Sequence, residues 1–193
     1  MKKVLIILAI LFGILLLIAF SIFGWVKTTY NSIVTMDEEI NGAWAQVENV
    51  LQRRYDLIPN LVETVKGYAS HESEVFIRVT EARSKVAGAG TPSARMEAEG
   101  ELSNALSRLM VVVENYPQLK ANQNFVMLQD QLESTENRIS VERGRYNNTV
   151  KLYNQYIRRF PTSMLAGMFN FNLRDFFEAP EAAQTAPQVR FNE

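Results

Sequence analysis

A run of 23 residues without a single charge, Val4 to Val26, constrains this chain more than any other feature. Gly13, Ser21 and Gly24 are its only members that are not apolar. A bilayer core of ~30 Å needs ~20 helical residues at ~1.5 Å each, so the run is long enough to span one. Left in water, that much apolar surface would be strongly unfavourable. The competing reading is a secretory signal peptide, whose apolar region is ~7–15 residues long and ends at a small-x-small cleavage site. Here the run is longer, and Ala19-Phe20-Ser21 lies inside it. The sequence therefore predicts an uncleaved transmembrane signal anchor over residues 1–26.

Orientation follows from nearby positive charge. Lys2, Lys3 and the terminal amine precede the span, whereas Lys27 alone follows it closely, ahead of Asp37, Glu38 and Glu39. The bias predicts a cytoplasmic N-terminus and a body outside, on a margin small enough to leave the reverse open. With the N-terminus inside, a stand-alone receptor is not expected, because residues 27–193 then carry the function. Without Lys2 and Lys3 the body has 18 basic and 21 acidic residues, a net charge of −3. That balance argues against a nucleic-acid partner, which calls for a basic surplus. The chain has no cysteine, which excludes a disulfide framework, a thiolate zinc site, a lipoprotein anchor and a cysteine nucleophile. Its one histidine, His71, cannot build a multi-histidine metal site within one subunit.

The body reads as an all-α elongated antiparallel bundle of about three to four long helices, over residues 27–161. In the first segment Ile33, Met36, Ile40, Ala43, Val47 and Val50 recur at steps of three and four, a heptad a/d pattern. Trp44, Leu51 and Ile58 widen that stripe on one flank. Pro59 is expected to kink or break the helix, and Leu61 through Val86 to continue a stripe beyond it. Gly88-Ala89-Gly90-Thr91-Pro92 marks a turn, with Thr91 capping the next helix and Pro92 in its first position. A last helix over about 122–160 repeats Phe125, Leu132, Ile139, Tyr146, Tyr153 and Phe160 every seven residues. Leu128, Thr135, Glu142, Thr149 and Tyr156 fill its alternate positions. The buried tyrosine hydroxyls would need partners, for which Asn147 and Asn154 are nearby candidates. Residues 162–178 are rich in aromatics and methionine, and 179–193 are expected to be poorly ordered.

Several long motifs occur in order: Arg53-Arg54-Tyr55-Asp56-Leu57-Ile58-Pro59-Asn60, His71-Glu72, and Glu114-Asn115-Tyr116-Pro117. Leu132-Glu133-Ser134-Thr135-Glu136-Asn137-Arg138, Arg145-Tyr146-Asn147, Tyr153-Asn154 and Phe160-Pro161 follow. With the N-terminal span, they make the chain resemble the LemA family along nearly its whole length. The resemblance implies a bacterial membrane-anchored helical bundle, in the cytoplasmic membrane, without established enzymatic activity. It also implies the short N-terminus outside, against the charge count.

The candidate chemistry is thin. His71-Glu72 lacks the second histidine of a zincin helix, since Val75 holds that position. Glu133, Glu136 and Glu142 could be catalytic carboxylates, but glutamates three apart are common on solvated helix faces. Arg54, Glu72 and Glu142 sit in otherwise apolar stripes, where an unpaired charge would cost several kcal/mol. They read either as internal ion pairs fixing register or as a polar cleft between helices. The candidate interaction segment is Met164, Leu165, Met168, Phe169, Phe171, Phe176 and Phe177. It either folds back on the bundle, meets another subunit or touches lipid headgroups. No cofactor and no metal is expected. The expected function is a non-enzymatic membrane-anchored helical scaffold that self-associates at the bacterial envelope. The alternative is an adaptor presenting its bundle to another envelope protein, such as a membrane protease.

Overall fold

The apolar run is not an element of its own: in the computed structural model, which describes residues 2–177, it is the first part of a helix α1, Lys2–Lys66. The remaining elements are α2 (Ser73–Gly88), α3 (Pro92–Val113), α4 (Pro117–Lys120), α5 (Gln123–Arg158) and α6 (Thr162–Met168). The fold is an all-α helical bundle. The tail 179–193, and residue 178 of the aromatic segment, lie outside the described residues. Among these, α1 is the one helix long and apolar enough to cross a membrane, and its most apolar stretch is entirely unburied. That supports anchoring by a single pass.

The chain divides into two compact units, Met1–Gly42 with Asn148–Arg174, and Ala43–Asn147 with Asp175–Glu193. In the second unit the rest of α1 opens a four-helix arrangement. Trp44 stacks edge-on against Tyr146, Arg54 pairs with Glu136, and Tyr68 accepts a hydrogen bond from Asn122. Numbers rise on α1 as they fall on α5, so the two run antiparallel. Glu48 pairs with Arg95 and Arg54 with Glu99, which makes α3 run with α1. Helix α2 runs back between them, tied to α3 by Lys85–Glu101 and to α1 by Arg83 on Tyr55. Leu61, Leu102, Leu109, Leu119 and Phe125 form the middle of this core.

Of the two outcomes expected at Pro59, a kink or a break, no break occurs: α1 continues to Lys66. Proline has no N–H to give the carbonyl four residues back, which here is that of Tyr55. The Arg83 Nε donates to that carbonyl from α2 at 3.5 Å, while its guanidinium lies 3.8 Å over the Tyr55 ring. The break comes at Gly67–Glu72, where Gly67 and Ser70 are weak helix formers. Thr91 caps α3 as the sequence predicts, its hydroxyl accepting from the Ala94 amide at 3.2 Å with Pro92 at the first position.

The buried stripe of α1 differs in phase from the a/d reading. Ile33, Ile40, Val47, Arg54 and Leu61 are buried, but their partners are Leu51, Ile58 and Val65. Met36, Ala43 and Val50 are only half-buried. On α5, Leu128 and Thr135 are buried, then Val150 and Ile157 take over from Thr149 and Tyr156. On α1 the line Ile33, Ile40, Val47, Arg54 and Leu61 keeps a strict seven-residue spacing, so only the second line of the stripe sits one position later than the a/d reading. Phe160, the last member of the predicted aromatic repeat, is exposed.

In the first unit, Thr29, Ile33 and Ile40 of α1 are buried along with Val150, Tyr153 and Ile157 of α5 and Leu165 and Ala166 of α6. A Schellman cap ends α6. Asn170 takes a left-handed φ of 58°, the Phe171 amide reaches Ala166 O at 2.9 Å and the Asn170 amide reaches Gly167 O at 3.4 Å. The cap reverses the chain and starts an extended strap. Tyr30 of α1 holds its beginning, with ring centroids 4.9 Å from Phe169 and 5.6 Å from Phe171.

Candidate functional site

Two polar constellations stand out. The first is a buried charge cluster in the second unit. Arg54 sits on the buried face of α1, and its Nη1 lies 3.0 Å from Glu136 of α5 and 3.5 Å from Glu99 of α3. Glu136 is half in water, whereas Glu99 is buried and its Oε1 meets no hydrogen-bond partner. Burial raises the Glu99 carboxyl above the ordinary carboxylate range; Arg54 opposes that shift and Glu136 adds to it. Burial likewise lowers Arg143 of α5 from its usual value, against the pull of Glu136. The cluster thus holds guanidinium and carboxylate charge away from water, where removing one partner would be expensive.

The second constellation is a pair of main-chain clamps on α5, one in each unit. In the first unit the Asn154 side chain behaves like a peptide group. Its Nδ2 donates to Arg174 O and its Oδ1 accepts from Arg174 N, both at 2.9 Å. The Tyr153 hydroxyl donates to Asn172 O at 3.1 Å. Burial, with Asp37 adding to it, raises the Tyr153 hydroxyl above its usual range, so it remains a donor. Arg174 closes this clamp with a bidentate pair to Asp37 of α1, 2.9 Å on each arm. In the second unit Asn147 does the same to Phe177, donating at 2.9 Å and accepting at 2.7 Å. Tyr146 donates to Asp175 O at 3.0 Å, and the Arg143 guanidinium lies 3.9 Å over the Phe177 ring. The Tyr-Asn pairs, seven residues apart on α5, therefore bind an extended chain through its backbone, and each asparagine satisfies both polar groups of one residue.

These clamps use Tyr146-Asn147 and Tyr153-Asn154, two of the motifs that recur in the LemA-like pattern, and the cluster uses Arg54 and Glu136 from two more. A model of the LemA family matches residues 43–191. The chain belongs to the LemA family. It is similar to magnetosome protein MamQ 1 of Paramagnetospirillum magneticum, 29% identical over 182 residues, covering 81% of this chain and 67% of the relative. Magnetosome protein MamQ of Magnetospirillum gryphiswaldense is also 29% identical, over 83% of this chain and 70% of its own. Protein LemA of Metamycoplasma hominis is 22% identical over 78% of this chain and 69% of its own.

Within this LemA chain the other candidate residues are placed as follows. Glu72 lies in the turn before α2, half-buried, and accepts from the Tyr116 hydroxyl at 3.4 Å. His71 is exposed beside it. Glu142 is half-buried and pairs with Arg145 on its own helix at 2.8 Å. Glu133 accepts from Gln129, so Glu133, Glu136 and Glu142 face three different partners. Of the interaction segment, Leu165 and Phe177 are buried, Phe171 is half-buried, and Met164, Met168, Phe169 and Phe176 are exposed. The clamps are what sequence reasoning missed: Asn147 and Asn154 serve the strap, not the neighbouring tyrosines. The one available signal was the Tyr-Asn dipeptide repeated at a heptad interval.

Proposed function

We propose that this LemA-family chain is a non-enzymatic scaffold of the bacterial envelope, anchored in the cytoplasmic membrane by residues 4–26 with its N-terminus cytoplasmic and its body outside. Self-association is its working property. One observation carries the reading: α1 passes from the apolar span into the bundle as one helix, with no linker. Confinement to the bilayer raises the effective concentration of lateral contacts, so weak ones suffice. Lipid and further copies of the chain are the partners this reading requires; nucleic acid is not among them. Relatives named for the magnetosome and for LemA support a membrane-associated role. The test is the mass of the intact protein extracted in mild detergent and kept undissociated. A discrete homo-oligomer is the expected outcome. A monomer would overturn the proposal, and a stoichiometric complex with another envelope protein would replace it with the adaptor.

A further inference from the structure

The first unit ends in an apolar tip that the bundle leaves uncovered. Phe160 is 81% exposed, Met168 72% and Met164 65%, although Leu165 and Ala166 of the same short helix are buried. Met164 and Met168 stand one turn apart and so share one face of α6. An apolar face in water needs an occupant, and α1 fixes which one is at hand. Tyr30, whose ring packs on Phe169 and Phe171 just after α6, is four residues past the last apolar residue of the span, Val26. Four helical residues rise ~6 Å, which is about the depth of the headgroup zone on one side of a bilayer. Trp25 and Tyr30 are exposed at this level, as amphipathic aromatic anchors are at the edge of a membrane. Lys27, Arg158 and Arg159 are exposed in the same unit, and cations near the surface are attracted to anionic lipid.

We propose that α6 with Phe160 forms a second membrane contact, in which Phe160, Met164 and Met168 enter the interface of an anionic phospholipid bilayer while Lys27, Arg158 and Arg159 meet its headgroups. The proposal rests on the reading of residues 4–26 as a span. The occupant is lipid, not a second copy, because the α1 segment that carries the tip is the one that leaves the bilayer.

The absence of cysteine makes the test clean, since one introduced cysteine is the only labelling site. Full-length protein with Met164→Cys or Met168→Cys, labelled with an environment-sensitive fluorophore, is reconstituted in vesicles of phosphatidylethanolamine and phosphatidylglycerol. Controls carry the label at Leu16→Cys in the span and at Val111→Cys, a 68% exposed position of α3. Spin-labelled lipids should quench the tip labels roughly three-fold or more above the Val111 control, most strongly from shallow positions, as for a segment ~5–10 Å into the headgroup boundary. Aqueous iodide should quench them less than the control. Iodide quenching equal to the control, with the Leu16 label still lipid-buried, would overturn the tip contact and leave the span standing. Protection from iodide without lipid quenching would also overturn it, by showing protein over the tip. A Leu16 label open to iodide would overturn the span, and the tip with it.

Discussion

Arg54 stands where the stripe of α1 would otherwise carry an aliphatic side chain, and two carboxylates converge on its Nη1. Its replacement by methionine leaves Glu99 buried without that partner, so Arg54→Met should lower stability by about 3–5 kcal/mol. The double replacement Arg54→Met with Glu99→Met should recover most of that loss, because Glu136 is half in water and tolerates solitude; denaturant unfolding in micelles measures both. The pH dependence has a definite sign. The folded state binds the Glu99 proton more tightly than the unfolded chain does, so stability falls as pH rises from the ordinary carboxylate value to the raised folded one, then levels off. Glu99→Gln should remove that decline. At this scale the sequence was partly legible. A charged residue in an apolar stripe announces that it has partners, but the partner Glu99, some 45 residues away, leaves no mark in the local pattern.

The strap shows the same limit for an element. Its amides and carbonyls make the contacts, and these atoms are common to every residue type, so no periodicity in residues 171–177 could announce what they bind. The asparagines were visible only as polar neighbours of a core tyrosine. Asn154→Ala strips both partners from the Arg174 main chain. It should cost about 1–3 kcal/mol locally, read as roughly 5- to 150-fold faster hydrogen exchange at the Arg174 amide. Asn147→Ala should do the same at Phe177, and unchanged exchange in both variants would refute the clamp. Helix α1 shows the opposite case. Its existence is evident from spacing, and so is the buried line Ile33, Ile40 and Val47 with Leu51 and Ile58 on its flank; only the second line, given to Met36, Ala43 and Val50, lies one position off. Whether Pro59 kinks or breaks the helix is not legible locally, because the compensating donor Arg83 is on another helix.

For the whole molecule, sequence patterning sufficed to reveal an anchor, an all-α body and the family, because these follow from hydropathy, helical periodicity and long motifs. It could not reveal the strap's path, which depends on contacts between distant segments. Anchor and body are also separable in stability. No described side chain before Val26 is buried, and Thr29 is the first buried residue. A body lacking residues 1–26 should therefore melt as cooperatively as the full chain, within ~1 kcal/mol of its stability, by circular dichroism. Loss of the transition would show that the span supports the fold. The clamps, finally, bear on how such chains can change length over generations. In the first unit the stretch from Asn154 to Arg174 is closed at both ends by one clamp, and that clamp holds main-chain atoms, which every residue type carries. Relatives should therefore differ there by substitution far more often than by gain or loss of residues.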